Sequence, residues 1–324
     1  MDFELSGDQE DLQQGVRKLC TGVFPMATVR SLEARGGLER GLWRQLADAG
    51  VFSLRLPENA GGVGLGSADA VLVFEELGRA VVPGPLLWTH LAAGEVDGAA
   101  SGEMVVGGVE RRGPTDPLLI EHLQVLDRLV VLDDAGVWEV EPRDVDGEAV
   151  LHPLDPLTPL HLVRDLPRGE QMAGPETAAS WRLEGATLTA ALLLGLAGAV
   201  TDMAVSYAKE RQQFERPIGS FQAVKHLLAD MLVRTEVARA AVYAAGVHLD
   251  DPAVGDVRRA VAVAKLMAGE AALTNGKACI QVHGGMGFTW EVDAHLYLKR
   301  ARVLDTVFGS TQAQAATMAS IIGG

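Results

Sequence analysis

Two stretches near the C-terminus, Gln281-Val282-His283-Gly284-Gly285-Met286-Gly287-Phe288 and Val307-Phe308-Gly309-Ser310-Thr311-Gln312, carry the most structural information in this chain, with a charged helical pattern between them. Glycines without Cβ atoms let a main chain approach a ligand closely, and the N–H groups of such a turn suit a phosphate. A glycine pair is also an ordinary turn. Upstream, Tyr207-Ala208-Lys209-Glu210-Arg211-Gln212-Gln213-Phe214 closes one helical pattern. The chain then turns through Pro217 and Gly219 and restarts, with Ser220 as the expected N-cap. Arg211 beside Phe214 offers a guanidinium fork for phosphate oxygens and an aromatic face for a base. The same pair serves equally well as a clamp at a helix corner.

Composition narrows the field. The chain has 324 residues, 48% of them hydrophobic, and a formal charge of −15. That charge, with no run of lysine or arginine, argues against nucleic-acid and anionic-membrane partners, and any anionic ligand needs a local basic pocket. Cys20 and Cys279 stand alone, which excludes a disulfide framework and a zinc-ligand spacing and fits a reducing, cytoplasmic compartment. The first residues lack the pattern of a secretory signal. The longest apolar run, Ala186 to Val200, falls short of the ~20 residues of a membrane span and reads as a buried core helix. The histidines show no HxxxH or HExxH spacing and the serines no GxSxG elbow, so neither a metal site nor a serine nucleophile is expected.

The order along the chain is helical, β, helical. Ser6-Gly7-Asp8-Gln9 has capping-box spacing ahead of Leu12, Val16 and Leu19. Leu42, Trp43 and Leu46 form a second stripe that Gly50 ends. The cluster Gly61-Gly62-Val63-Gly64-Leu65-Gly66 matches neither phosphate-loop spacing and reads as a turn before a helix from Ser67, its expected cap, to Leu77. Leu129–Leu132 and Val137–Val140 read as short strands among Pro and Asp-Gly breaks. Helical periodicity then returns over 186–211, 221–249, 254–283 and 292–322. The domain expectation is 1–108 helical, 109–182 a shortened β-rich middle segment, and 183–324 a helical bundle.

Taken together, Arg211-Gln212-Gln213-Phe214, Gln281-Val282-His283-Gly284-Gly285 and Phe308-Gly309-Ser310-Thr311-Gln312 resemble the C-terminal domain of the acyl-CoA dehydrogenases. The likeness is strongest from Ala186 to Gln314. It is moderate around Leu56-Pro57-Glu58 and Glu75-Glu76-Leu77-Gly78-Arg79-Ala80, and poor in the middle. The resemblance implies a mostly α fold: an N-terminal helical domain, a reduced β-rich middle domain and a C-terminal four-helix bundle. It also implies FAD, with Arg211, Gln213, Phe214, Gln222, Gln281, Gly284, Gly285, Ser310 and Gln312 at adenine- and pyrophosphate-contacting positions. In such dimers the flavin ring sits on one protomer while the adenosine end crosses to the other. The Thr-Glu-Pro-x-Ala-Gly-Ser-Asp and Trp-Ile-Thr stretches that hold the ring and thioester in the family are missing here.

Dehydrogenation of a thioester needs a carboxylate at Cα while hydride leaves Cβ for the flavin. Of the two places where the family keeps that base, one matches Phe308 and the other Gly185. No catalytic residue is therefore assigned. Glu184, one residue away, is the remaining candidate base, though a one-residue slip turns it ~100° about a helix; otherwise it reads as a helix N-terminal acid. Asp305 reads as a solvated or ion-paired acid on the helical face of Phe308. The resemblance thus points to a β-type, base-lacking subunit that shares FAD with an α-type subunit. That partner would hold most of the acyl-CoA, and an electron-transfer acceptor would take the electrons. Two other readings are a self-sufficient homomer using Glu184 and a scaffold without cofactor.

Overall fold

The computed structural model describes residues 5–111, 113 and 117–323. Its helices are α1 (Gly7–Val23), α2 (Met26–Ser31), α3 (Arg40–Asp48), α4 (Ser67–Arg79), α5 (Leu86–Leu91), α6 (Pro175–Glu210), α7 (Gln222–Asp250), α8 (Val257–His283), α9 (Ala294–Thr306) and α10 (Thr311–Gly323). The strands are β1 (Val106–Glu110), β2 (Leu118–Glu121), β3 (Arg128–Leu132), β4 (Val137–Val140), β5 (Gly147–Ala149), β6 (Leu160–Val163), β7 (Glu170–Ala173), β8 (Gln212–Gln213) and β9 (Arg216–Pro217). Two compact units result. One is assembled from Met1–Gly22, Val71–Val82 and Ala186–Gly324, the other from Val23–Ala70 and Pro83–Gly185.

In the first unit, α1 starts as its sequence dictates: the Gln9 N–H donates to Ser6 Oγ and the Ser6 N–H to Gln9 Oε1. The helices that follow cross closely where side chains vanish. A Cβ at Gly195 would lie 2.0 Å from the Glu75 carbonyl, and one at Gly78 2.2 Å from that of Leu192. Glu75 and Glu76 are buried here and matched by Arg239 and Tyr243 and by Arg17, respectively. At the bundle centre the Asn275 amide donates to Thr235 Oγ1 at 3.0 Å, the Met231 carbonyl at 2.9 Å and Thr201 Oγ1 at 3.3 Å. This network ties α6, α7 and α8 in one register.

The second unit holds two sheets. One has the order β1-β3-β4-β7, with β1 and β3 parallel and the remaining pairs antiparallel. The other is antiparallel with the order β2-β6-β5. Leu129 to Leu132 are fully buried, as a continuous apolar run in a central strand requires. Before α4 the glycine cluster is a turn, with Gly61 and Gly64 at φ +79° and +70°. Gly50 stops α3 at φ +81°.

Several expectations need correction. The cap of α4 is Gly66, not Ser67: its N–H donates to Asp69 Oδ2 and its carbonyl accepts from Ala70. The helix runs on to Arg79, two residues past Leu77. Ser220 lies in a 3-10 turn, and Phe221 precedes α7 without a side-chain cap. The 292–322 pattern is two helices, because Phe308 and Gly309 take φ +51° and +91°. Contrary to the expectation from length, α6 is long and apolar enough to span a membrane, but 78% of its most apolar window is buried within the chain. Burial is what makes it a core helix.

Candidate functional site

Arg211 directly follows α6 and leads into the β8–β9 hairpin, where Gln213 pairs with Arg216 across a loop of only Phe214 and Glu215. Such a loop demands left-handed backbone at both positions, and they have φ +51° and +63° without being glycine. Strain of this kind persists where the surroundings over-determine it, commonly at ligand sites. It thrusts Phe214 outward, 86% exposed, with its ring edge-on to Phe221 at 6.1 Å. The Arg216 guanidinium covers the Phe221 face at 4.2 Å. Gln222, the first residue of α7, is exposed beside this corner.

At the end of α8, Gln281 is exposed and its carbonyl accepts from the Gly284 N–H. Gly284 has φ +60° and ψ −136°, which needs glycine, and a Cβ on Gly284 or Gly285 would meet nothing within 4 Å. Both therefore present open backbone. Gly287 has the opposite reason to be glycine, since a Cβ there would lie 2.5 Å from the Ile280 carbonyl. His283 is buried, with Nδ1 2.8 Å from the Cys279 carbonyl and its ring stacked on Tyr207 at 4.1 Å. Tyr207 sits four residues before Arg211, so this stack joins the hairpin corner to the glycine turn.

The Ser310–Gln312 segment lies elsewhere. Ser310 caps α10 by accepting from the Ala313 N–H at 3.2 Å, and Gln312 is exposed in the first turn. The fully buried Lys265 holds this junction, its ammonium donating to the carbonyls of Leu304, Asp305 and Gly309 at 3.2, 3.0 and 2.9 Å. Lys265 precedes Gln281 by sixteen positions on α8, roughly 24 Å of helix. The chain thus brings Arg211, Gln213, Phe214 and Gln222 to the neighbourhood of Gln281, Gly284 and Gly285, and places Ser310 and Gln312 as a second patch. Asp305 accepts from the Thr311 N–H and hydroxyl and is a helix-joining residue, not a solvated acid on a helix shared with Phe308. Sequence reasoning missed Lys265. Its signal was the stripe Val261, Lys265, Ala268, Ala272, Asn275, all buried.

Neither position where the resemblance expects a base carries a carboxylate. Phe308 is 4% exposed, and Gly185 is buried in α6. Glu184 lies nine residues inside α6, so it is not a helix N-terminal acid. Its carboxylate pairs with Arg55 and with His90 Nε2 at 3.4 Å, while His90 Nδ1 contacts the Val51 carbonyl at 3.1 Å. Burial alone would raise its pKa. The His90 and Arg55 contacts outweigh burial and hold it below the ordinary carboxylate range.

Residues 6–100 match the acyl-CoA dehydrogenase N-terminal domain and 177–323 the acyl-CoA dehydrogenase C-terminal domain. Acyl-CoA dehydrogenase IpdE2 of Mycobacterium tuberculosis is 36% identical, over 86% of this chain and 85% of the relative. FadE34 of the same organism is 35% identical over 95% of this chain, which spans only 46% of that longer protein. Among solved structures, the chain is similar to one from the ChsE4–ChsE5 complex of M. tuberculosis, with a TM-score of 0.86 and 25% identity over 100% and 99% of the two chains. It is also similar to one from a variant of the Tcur3481–Tcur3483 steroid ACAD, with a TM-score of 0.85 and 25% identity over 98% of each. The chain belongs to the acyl-CoA dehydrogenase family, which uses FAD and is characterised by oxidoreductase chemistry on CH–CH bonds. The exposed Arg211–Phe214 corner and the open Gly284–Gly285 backbone fit the nucleotide end of that cofactor.

Proposed function

We propose that this chain is the β-type, base-lacking subunit of a heteromeric FAD-dependent acyl-CoA dehydrogenase. Phe308 is the observation that carries the reading: an apolar, buried side chain stands where the family keeps its α-proton base. The paired, acid-shifted Glu184 supports it, since a carboxylate held below its ordinary range by its contacts with His90 and Arg55 is a weak base. When bound, FAD supplies the hydride acceptor. This chain's part is to grip the nucleotide, with Arg211 for pyrophosphate charge, Phe214 and Gln222 toward the adenine end, Gln213 and Gln281 as amide donors, and Gly284 and Gly285 as close backbone. Ser310 and Gln312 form the second contact patch.

An α-type partner supplies the base, the ring-holding domain and most of the acyl-CoA site, and electrons leave to an external electron-transfer acceptor. The substrate assigned is a bulky acyl thioester, steroid-derived by analogy with the steroid ACAD neighbour. The compartment that fits this chemistry is the cytoplasm.

The chain expressed alone should be colourless and inactive. Co-expressed with an α-type subunit, it should give flavin absorbance and turnover at about one FAD per heterodimer, a loading that follows if each site needs both chains. A lone chain that is yellow and oxidises a thioester would overturn the proposal. Arg211→Ala in the complex separates a nucleotide contact, which should lose flavin, from a cofactor-free scaffold, which should change little.

A further inference from the structure

The chain carries 43 acidic against 28 basic side chains, and several of its arginines pair with carboxylates. Arg17 pairs with Glu76, Arg40 with Asp127, Arg128 with Glu139 and Arg182 with Glu110. Arg111 and Arg168 differ from these four. Among the described residues neither guanidinium has a carboxylate partner, and both line one cleft of about 410 Å³ in the strand-bearing unit.

The floor of that cleft is one face of the β3–β4 pair. Val131 and Trp138 are opposite each other in register, and Val140 follows Trp138 two residues on, hence on the same face. Leu166 and Pro167 add an apolar wall. Arg111 is fixed at the end of β1 by its N–H, which donates to the Leu132 carbonyl at 2.8 Å. Asp133, the acid among the described lining residues, is already engaged: its Oδ1 accepts from the Ala135 and Gly136 N–H groups at 2.9 and 3.0 Å and from Trp138 Nε1 at 3.0 Å. These bonds spread its charge and fix the indole.

Two guanidinium forks with no carboxylate partner among the described residues, above an apolar, tryptophan-bearing floor, match a ligand with a negative head and a flat body. We propose that this cleft binds a flat-ringed organic anion, its phosphate or carboxylate held by Arg111 and Arg168 and its ring laid on Val131, Trp138 and Val140. The volume lies within the range of small-molecule sites. A nucleotide or a ring-bearing carboxylic acid supplies this chemistry. The site uses none of the residues assigned to the flavin nucleotide, so it stands or falls apart from that assignment.

Isothermal titration of the full chain with ADP and with naphthoate tests it, using adenosine and naphthol as uncharged controls. At least one anion should bind with Kd between about 10 µM and 1 mM, and its uncharged counterpart should not. Tight ADP binding identifies the nucleotide source, and tight naphthoate binding the carboxylate source. Arg111→Gln with Arg168→Gln should weaken binding about tenfold or more, and salt should weaken the wild type. Trp138→Ala should also weaken it while leaving the salt dependence in place. Binding of either anion should persist in an Arg211→Ala chain, which separates the cleft from the flavin patch. Failure of both anions to bind the wild type, or undiminished binding by the double variant with a native circular-dichroism spectrum, would overturn the proposal.

Discussion

The rings of Tyr207 and His283 stack at 4.1 Å and an angle of 25°, so a side chain on the last turns of α6 rests on the residue directly before Gly284. The stack fixes the spacing between the Arg211–Phe214 corner and the open glycine backbone. Such ring pairs contribute about 0.5–1.5 kcal/mol beyond their burial, enough to hold an alignment but not a fold. Tyr207→Ala in the heteromeric complex should therefore weaken FAD retention several-fold while Tyr207→Phe leaves it unchanged, read by flavin released on dilution. Equal retention by all three proteins would show that the two segments align without the stack.

Lys265 sits in the N-terminal half of α8 with no solvent exposure, its ammonium serving three carbonyls at the α9–α10 break. Removing the donor strands buried acceptors at a helix end. Lys265→Met should cost about 2–4 kcal/mol in urea unfolding and Lys265→Glu more, because it sets a charge against those carbonyls. A Lys265→Met chain as stable as wild type would mean that the junction holds itself.

How legible was this in the sequence? Local chemistry was clear where a short pattern has one physical meaning, as in the reciprocal Ser6 and Gln9 bonds, the Gly50 stop and the buried Leu129–Leu132 strand. Contacts between distant residues were not. Arg55, His90 and Glu184 are separated by 35 and 94 positions in the chain, and no periodicity joins them. The α6 start at Pro175 was missed because its first turns carry polar residues, whose inner faces show only after folding. Phe214 and Glu215 gave no sign of left-handed backbone, since two-residue hairpin loops are read from glycine and asparagine. The residues proposed to contact the nucleotide were legible only as a family pattern. Their division into two patches needed the path of α8 and α9.

Cys20 and Cys279 are buried, and burial pushes each thiol up to about 12. At pH 8 only about one native thiol in ten thousand is ionised, and the thiolate is the reactive form. The folded chain should give almost no colour with a disulfide reagent at pH 8, and two thiols per chain after denaturation. Rapid native labelling would show that the helices around them open readily.

Glu184 gives a test with a pH sign. Its folded pKa lies below the ordinary value of 4.5, because the His90 and Arg55 contacts outweigh burial. A carboxylate shifted down stabilises the fold fully above its unfolded pKa and loses that contribution as pH falls through the folded value. Glu184→Gln should therefore be less stable than wild type at pH 7 by about 2–3 kcal/mol, a figure reduced because Arg55 is partly solvated. The gap should shrink below pH 4.5 as the wild-type carboxyl takes up its proton. Urea midpoints at pH 7, 5 and 4 measure this. If a partner chain removes the proton, as proposed, the same variant in the complex should keep its turnover. Abolished turnover with flavin still bound would instead make Glu184 the base, and a stability gap independent of pH would remove its ion pairs as the cause.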